Sequence, residues 1–126
     1  GQMKIQRISR LKKFYDGNED DFYKLTYSMV CPLCNENKIF RVLDLKSFRE
    51  LDNQTRVLLI REIVKIEEKK LSTITIYGYD NLSVEYMTYI CTKCKTEIIA
   101  VLAVGEWQPA RYKIILLGVF KIQKNS

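Results

Sequence analysis

A chain of 126 residues, 47% hydrophobic and 29% charged, has the size and composition of one globular domain. Its 21 Lys and Arg exceed its 15 Asp and Glu, for a formal charge of +6, and no uncharged stretch reaches the roughly 18–20 residues of a membrane helix. Histidine is missing altogether, which removes the usual neutral-pH proton shuttle and the commonest catalytic metal ligand. Gly1 and Gln2, ahead of Met3, read as a cloning remnant, residues 3–126 as a single domain, and the charged beginning as unlike a secretory signal, so the cytoplasm is the expected compartment.

From Met3 to Tyr15 the chain is basic, and Ile5, Ile8, Leu11 and Tyr15 recur at near-helical spacing; a short amphipathic helix and a strand over 4–9 are both compatible with so short a pattern. Asp16 to Asp21 form an acidic turn-rich loop, and 22–30 alternates as a strand with one buried face, Tyr23, Leu25, Tyr27 and Met29 lying together. Ser47 and Glu50 have capping-box spacing, and Asp52 and Asn53 offer a second start signal. Val57, Leu59, Ile60, Ile63, Val64 and Ile66 then predict one helix over 55–70, with Lys69 and Lys70 at its negative end. Four strands are predicted at 71–79, 83–90, 98–104 and 112–121, separated by turns at 78–81 and 108–110. The last two are so apolar that both faces need cover. The helix supplies one side; the N-terminal segment or a second copy is expected on the other.

All four cysteines fall in two Cys-x-x-Cys pairs, Cys31 with Cys34 and Cys91 with Cys94. Two thiolates at this spacing reach one cation about 2.3 Å from each sulfur, and two pairs close a tetrahedral site. The flanks match as well: Val30 and Ile90 precede the pairs, and Ile39 to Leu43 and Ile98 to Leu102 follow them. Each half reads as strand, thiolate knuckle, strand. Competing readings are two disulfides, a Cys-Pro-x-Cys redox site, and iron in the same geometry. Over 27–43 and 87–104 the chain resembles the zinc-ribbon group of folds. That resemblance implies one structural Zn ion, and the expected fold class is α+β, an antiparallel sheet with two facing knuckles and one inserted α-helix.

Four thiolates leave no open coordination position, so hydrolytic zinc chemistry is not expected. Nor does any phosphate-cradling glycine loop or nucleophile–base spacing point to an enzyme or a small-molecule substrate. Charge is uneven: residues 3–15 carry +5, 16–106 carry −3 and 107–126 carry +4. If the ends of the chain are neighbours, Lys4, Arg7, Arg10, Lys12 and Lys13 join Trp107, Arg111, Tyr112 and Lys113 in a basic, aromatic surface suited to nucleic acid. Zinc ribbons commonly serve in transcription and RNA machinery, so the resemblance points the same way. The alternative is a protein-interaction or self-association module docking through an apolar sheet face.

Overall fold

The computed structural model describes residues 3–9, 11–18 and 20–124. Gly1, Gln2 and Arg10 therefore lie outside the described residues. In chain order the elements are β1 (Met3–Ser9), β2 (Lys12–Gly17), β3 (Thr26–Val30), β4 (Asn37–Arg41), β5 (Lys46–Ser47), α1 (Asn53–Glu62), β6 (Glu67–Leu71), β7 (Ile74–Tyr79), β8 (Leu82–Ile90), β9 (Glu97–Gln108) and β10 (Arg111–Lys124). Among the described residues these make an eight-stranded sheet in the order β1-β10-β9-β8-β7-β6, with β2 also beside β10 and β5 beside β8, and a separate β3–β4 hairpin. Every pairing is antiparallel. The α+β class with an antiparallel sheet and one α-helix is as expected.

Strand β9 is the wall between two cores. Ile99, Val101 and Ala103 face one core with Phe48, Leu59, Ile63, Val84 and Leu117; Ile98, Ala100, Leu102 and Val104 face the other with Phe22, Met29, Phe40 and Val42. This two-sided burial explains the unbroken apolar run in the sequence. The second cover is shared: the β3–β4 hairpin with the turn before it supplies most of it, and the N-terminal segment, which pairs along the sheet edge as β1 and β2 against β10, adds Ile8, Phe14 and Tyr15. Where β10 bulges between Leu116 and Gly118, Gly118 leaves room for its neighbours: a Cβ there would lie 2.8 Å from the Arg7 guanidinium and 2.8 Å from the Phe120 ring.

Helix α1 starts as the caps indicate, with Asp52 accepting from the Thr55 N–H at 3.0 Å, but it ends at Glu62 instead of Lys70. Val64, 81% exposed, has nothing to pack on, and 67–71 instead forms β6, laddered to β7 from Glu67↔Gly78 to Leu71↔Ile74. Tertiary pairing thus overrides helical periodicity. Positive charge at the helix C-terminus comes from Arg61 in its last turn and from Arg7, whose Nη2 donates to the Glu62 carbonyl at 3.0 Å. The β7–β8 turn is Asp80–Asn81, both with positive φ (51° and 63°), which marks a two-residue hairpin loop. The predicted strand at 22–30 is shortened at its start to β3, because Lys24 and Leu25 donate backbone bonds to the Asp21 carbonyl and close a turn.

Candidate metal centre and exposed surface

Strand β3 runs into the first knuckle and β4 leaves it; β8 and β9 do the same for the second. The two knuckles are built alike. Cys31 N–H donates to Glu36 O at 2.8 Å and Asn35 N–H to Cys31 O at 2.9 Å; Cys91 N–H donates to Thr96 O at 3.0 Å and Lys95 N–H to Cys91 O at 2.9 Å. Asn35 and Lys95, each the residue after the second cysteine, both take positive φ, 65° and 59°. The matching flanks noted in the sequence therefore encode one backbone turn used twice.

Packing of β3–β4 on the main sheet brings the turns face to face. All four sulfurs lie within 4.8 Å of one another, with Cys34 Sγ 3.4 Å from Cys91 Sγ and Cys31 Sγ 3.9 Å from Cys94 Sγ. A tetrahedral zinc with bonds near 2.3 Å requires sulfurs about 3.8 Å apart, so this donor set fits the ion, and Cys31, Cys34, Cys91 and Cys94 are the residues that would hold it. None of the four is in a disulfide. Crowding of the thiols divides their acidities. At Cys34 a backbone hydrogen bond at Glu36 favours the thiolate but is outweighed by burial and the neighbouring sulfurs, and the thiol is pushed up to about 12. Hydrogen bonds from the Thr96 side chain and backbone hold Cys94 down to about 6. The knuckles are also joined directly, Lys93 Nζ donating to Cys34 O at 3.3 Å.

The basic residues singled out in the sequence are not gathered on one face. Strands β1 and β10 are neighbours but antiparallel, so Lys4 stands opposite Gln123 while Lys113 stands opposite Asp16, roughly 30 Å further along β10 at about 3.3 Å per residue. Arg7 is turned inward, bonding Leu117 O at 3.0 Å and Ser9 O at 3.2 Å, with its guanidinium 4.9 Å from the Phe120 ring. Lys12 is exposed on β2, and Lys13 pairs with Ile115. Arg111 is ion-paired to Asp16 at 3.0 Å. Trp107 does meet Lys113 and Arg111, at 4.2 and 5.8 Å from its ring. Tyr112 instead stacks on Phe22 at 4.8 Å and 15°.

A different surface emerges beside it, which the alternation of 22–30 concealed by assigning Tyr23 to the buried face. The turn at 21–25 leaves Tyr23 44% and Leu25 39% exposed, and Leu43, 59% exposed, is tied to them by its N–H bond to the Tyr23 carbonyl. Tyr23 sits edge-on to Phe22 and Tyr112 at 5.0 and 6.0 Å. Around it the charge is negative: burial raises the Tyr23 hydroxyl, and Glu85 and Glu106 raise it further. Neither carboxylate has an ion-pair partner among the described residues.

Burial pushes half-buried Glu85 up to about 7, against a smaller opposing hydrogen bond at Ser83. Its folded value thus lies above the ordinary 4.5, so the native state holds this proton more tightly and stability falls as pH rises from about 4.5 through 7. Glu85→Gln is expected to raise Tm at pH 8 by a few degrees, about 1 kcal/mol once solvent screening is allowed for. At pH 4 it should leave Tm unchanged. Equal shifts at the two pH values in a calorimetric scan would refute this assignment.

Fold and site together define a class: an α+β protein whose two β-hairpin knuckles present a closed four-cysteine centre of zinc-ribbon-like arrangement. Comparison with protein-family models, with curated proteins and with solved structures gave no match.

Proposed function

We propose that this protein is a zinc-clasped, non-enzymatic protein-interaction module. The observation that carries the reading is the four-sulfur cluster of tetrahedral dimensions at the meeting point of two matched knuckles, with the exposed Tyr23–Leu25–Leu43 patch on the segments flanking the clasped hairpin. One Zn ion held by Cys31, Cys34, Cys91 and Cys94 makes a zinc-ribbon-type centre, with α1 and the β6–β7 hairpin as an insertion between its halves. Four thiolates fill the ion's coordination shell, so its duty is structural. A reducing compartment such as the cytosol keeps those thiols available.

Docking by protein is favoured over nucleic acid because the basic side chains are dispersed or engaged internally, whereas Tyr23, Leu25 and Leu43 are exposed on two segments joined by the Leu43 N–H to Tyr23 carbonyl bond. Both faces of β9 are covered within the chain, so the contact surface is this patch instead of an open sheet face. Crosslinking in cell extract tests the reading. Wild-type protein should capture a defined set of partners that a Tyr23→Ala/Leu43→Ala variant, still folded by circular dichroism, loses. Identical capture by both proteins would remove the patch as the docking surface.

A further inference from the structure

The patch also specifies the chemistry of its partner. We infer that the Tyr23–Leu25–Leu43 surface binds a basic peptide segment, an arginine or lysine flanked by an apolar side chain, with the cation received between the Tyr23 ring and the carboxylates of Glu85 and Glu106. This rests on the reading of the protein as an interaction module and names the partner of that same patch.

Three observations on different elements converge on it. The apolar part is formed by the turn before β3 and by a 3-10 turn at Val42–Asp44 after β4. The negative part is contributed by β8 and β9. Glu85 is half-buried and has no ion-pair partner among the described residues, an arrangement that an incoming ammonium or guanidinium relieves. Glu106 accepts from the Ala110 N–H at 3.3 Å and, after burial, its charge raises the Tyr112 hydroxyl, which leaves carboxylate lone pairs for a further donor. Asp20 adds its charge at Tyr112. The third part is the aromatic surface itself: a ring face beside carboxylates attracts cations through its quadrupole as well as through charge. On a chain of net charge +6, a locally negative aromatic surface selects cationic segments, while the like net charges of two copies oppose self-association.

The other basic–aromatic meeting point, Trp107 with Lys113 and Arg111, is already satisfied internally: its cations come from its own chain. The Tyr23 surface has the carboxylates and the ring, and among the described residues no cation pairs with either. It is the complement of what Trp107 already holds.

Fluorescence anisotropy with a labelled short peptide alternating arginine and leucine is the test, and the same peptide with glutamate in place of arginine is the control. The arginine peptide should bind with a micromolar dissociation constant that weakens as salt rises. It should weaken at least tenfold against the Glu85→Gln/Glu106→Gln variant, and by a similar factor against Tyr23→Ala, while the glutamate peptide does not bind. Both carboxamide replacements keep side-chain shape, and circular dichroism confirms that the variants fold. Equal binding of the two peptides, or an affinity untouched by these substitutions, would overturn the inference. If crosslinked partners depend on Tyr23 and Leu43 but the arginine peptide is indifferent to the carboxylates, the partner class is wrong and the interaction reading stands. Should light scattering show twice the monomer mass, reverting to one with Tyr23→Ala, the occupant is a second copy and the inference also fails.

Discussion

Replacing Cys91 with serine is expected to lower Tm by more than about 15 °C, a loss of at least about 4 kcal/mol, and to abolish stoichiometric zinc in elemental analysis. A serine hydroxyl is not a thiolate: it stays protonated near neutral pH and leaves the ion with three sulfurs. The effect is expected to be large because a bound ion would link segments far apart in the chain, β3–β4 on one layer and β8–β9 on the other, and Cys31 and Cys91 both belong to the core that these layers enclose. Metal binding is then part of the folding free energy. Titrating a strong chelator into the wild-type protein should bring its melting curve toward that of the variant, and the variant itself should not respond. A Cys91→Ser protein that melts as the wild type does would remove the clasp from the account.

Phe22→Ala should cost about 3–5 kcal/mol, the range for emptying a fully buried aromatic site. Phe22 is 0% exposed and is the hub of a ring cluster, with Tyr112, Tyr23, Tyr15 and Tyr27 at 4.8, 5.0, 5.7 and 6.0 Å. Its carbonyl also accepts from the Tyr27 hydroxyl at 3.0 Å, which anchors the turn to β3. The segment thus pins the covering hairpin to β10 at the end away from the cysteines. Urea denaturation measures the loss directly. Leu33→Ala, at an exposed position inside the first knuckle, is the matched control and should stay within about 0.5 kcal/mol. A Phe22→Ala midpoint close to that of Leu33→Ala would show that the cluster holds nothing together.

The centre was the most legible part of the sequence, because Cys-x-x-Cys spacing and repeated flanks are local information and a knuckle is a local structure. The strands around β8, β9 and β10 were legible for the same reason, each being a long run of β-branched and aromatic residues. Elements whose identity depends on a distant neighbour were not. Glu67 to Leu71 continues the helical stripe of 57–66 but is claimed by β7 across a two-residue turn. The basic N-terminal segment supported two local structures, and only its partner, β10, chooses between them. The basic surface fails to assemble through strand direction: the chain's two ends do lie side by side, Met3 opposite Lys124, but the antiparallel register that separates Lys4 from Lys113 is set by the whole sheet. Arg7 shows the same limit on a smaller scale. Nothing local announces that this arginine bonds the end of a helix 55 residues away.

The run Glu67-Glu68-Lys69-Lys70, misleading as a helix end, has a consequence as an outermost strand. Every residue of β6 is exposed, and its outward backbone amides would otherwise be a template onto which other molecules' strands could add without limit. Four consecutive charges oblige any such newcomer to strip water from ammonium and carboxylate groups, and that protects the protein from fibrillar growth at high concentration.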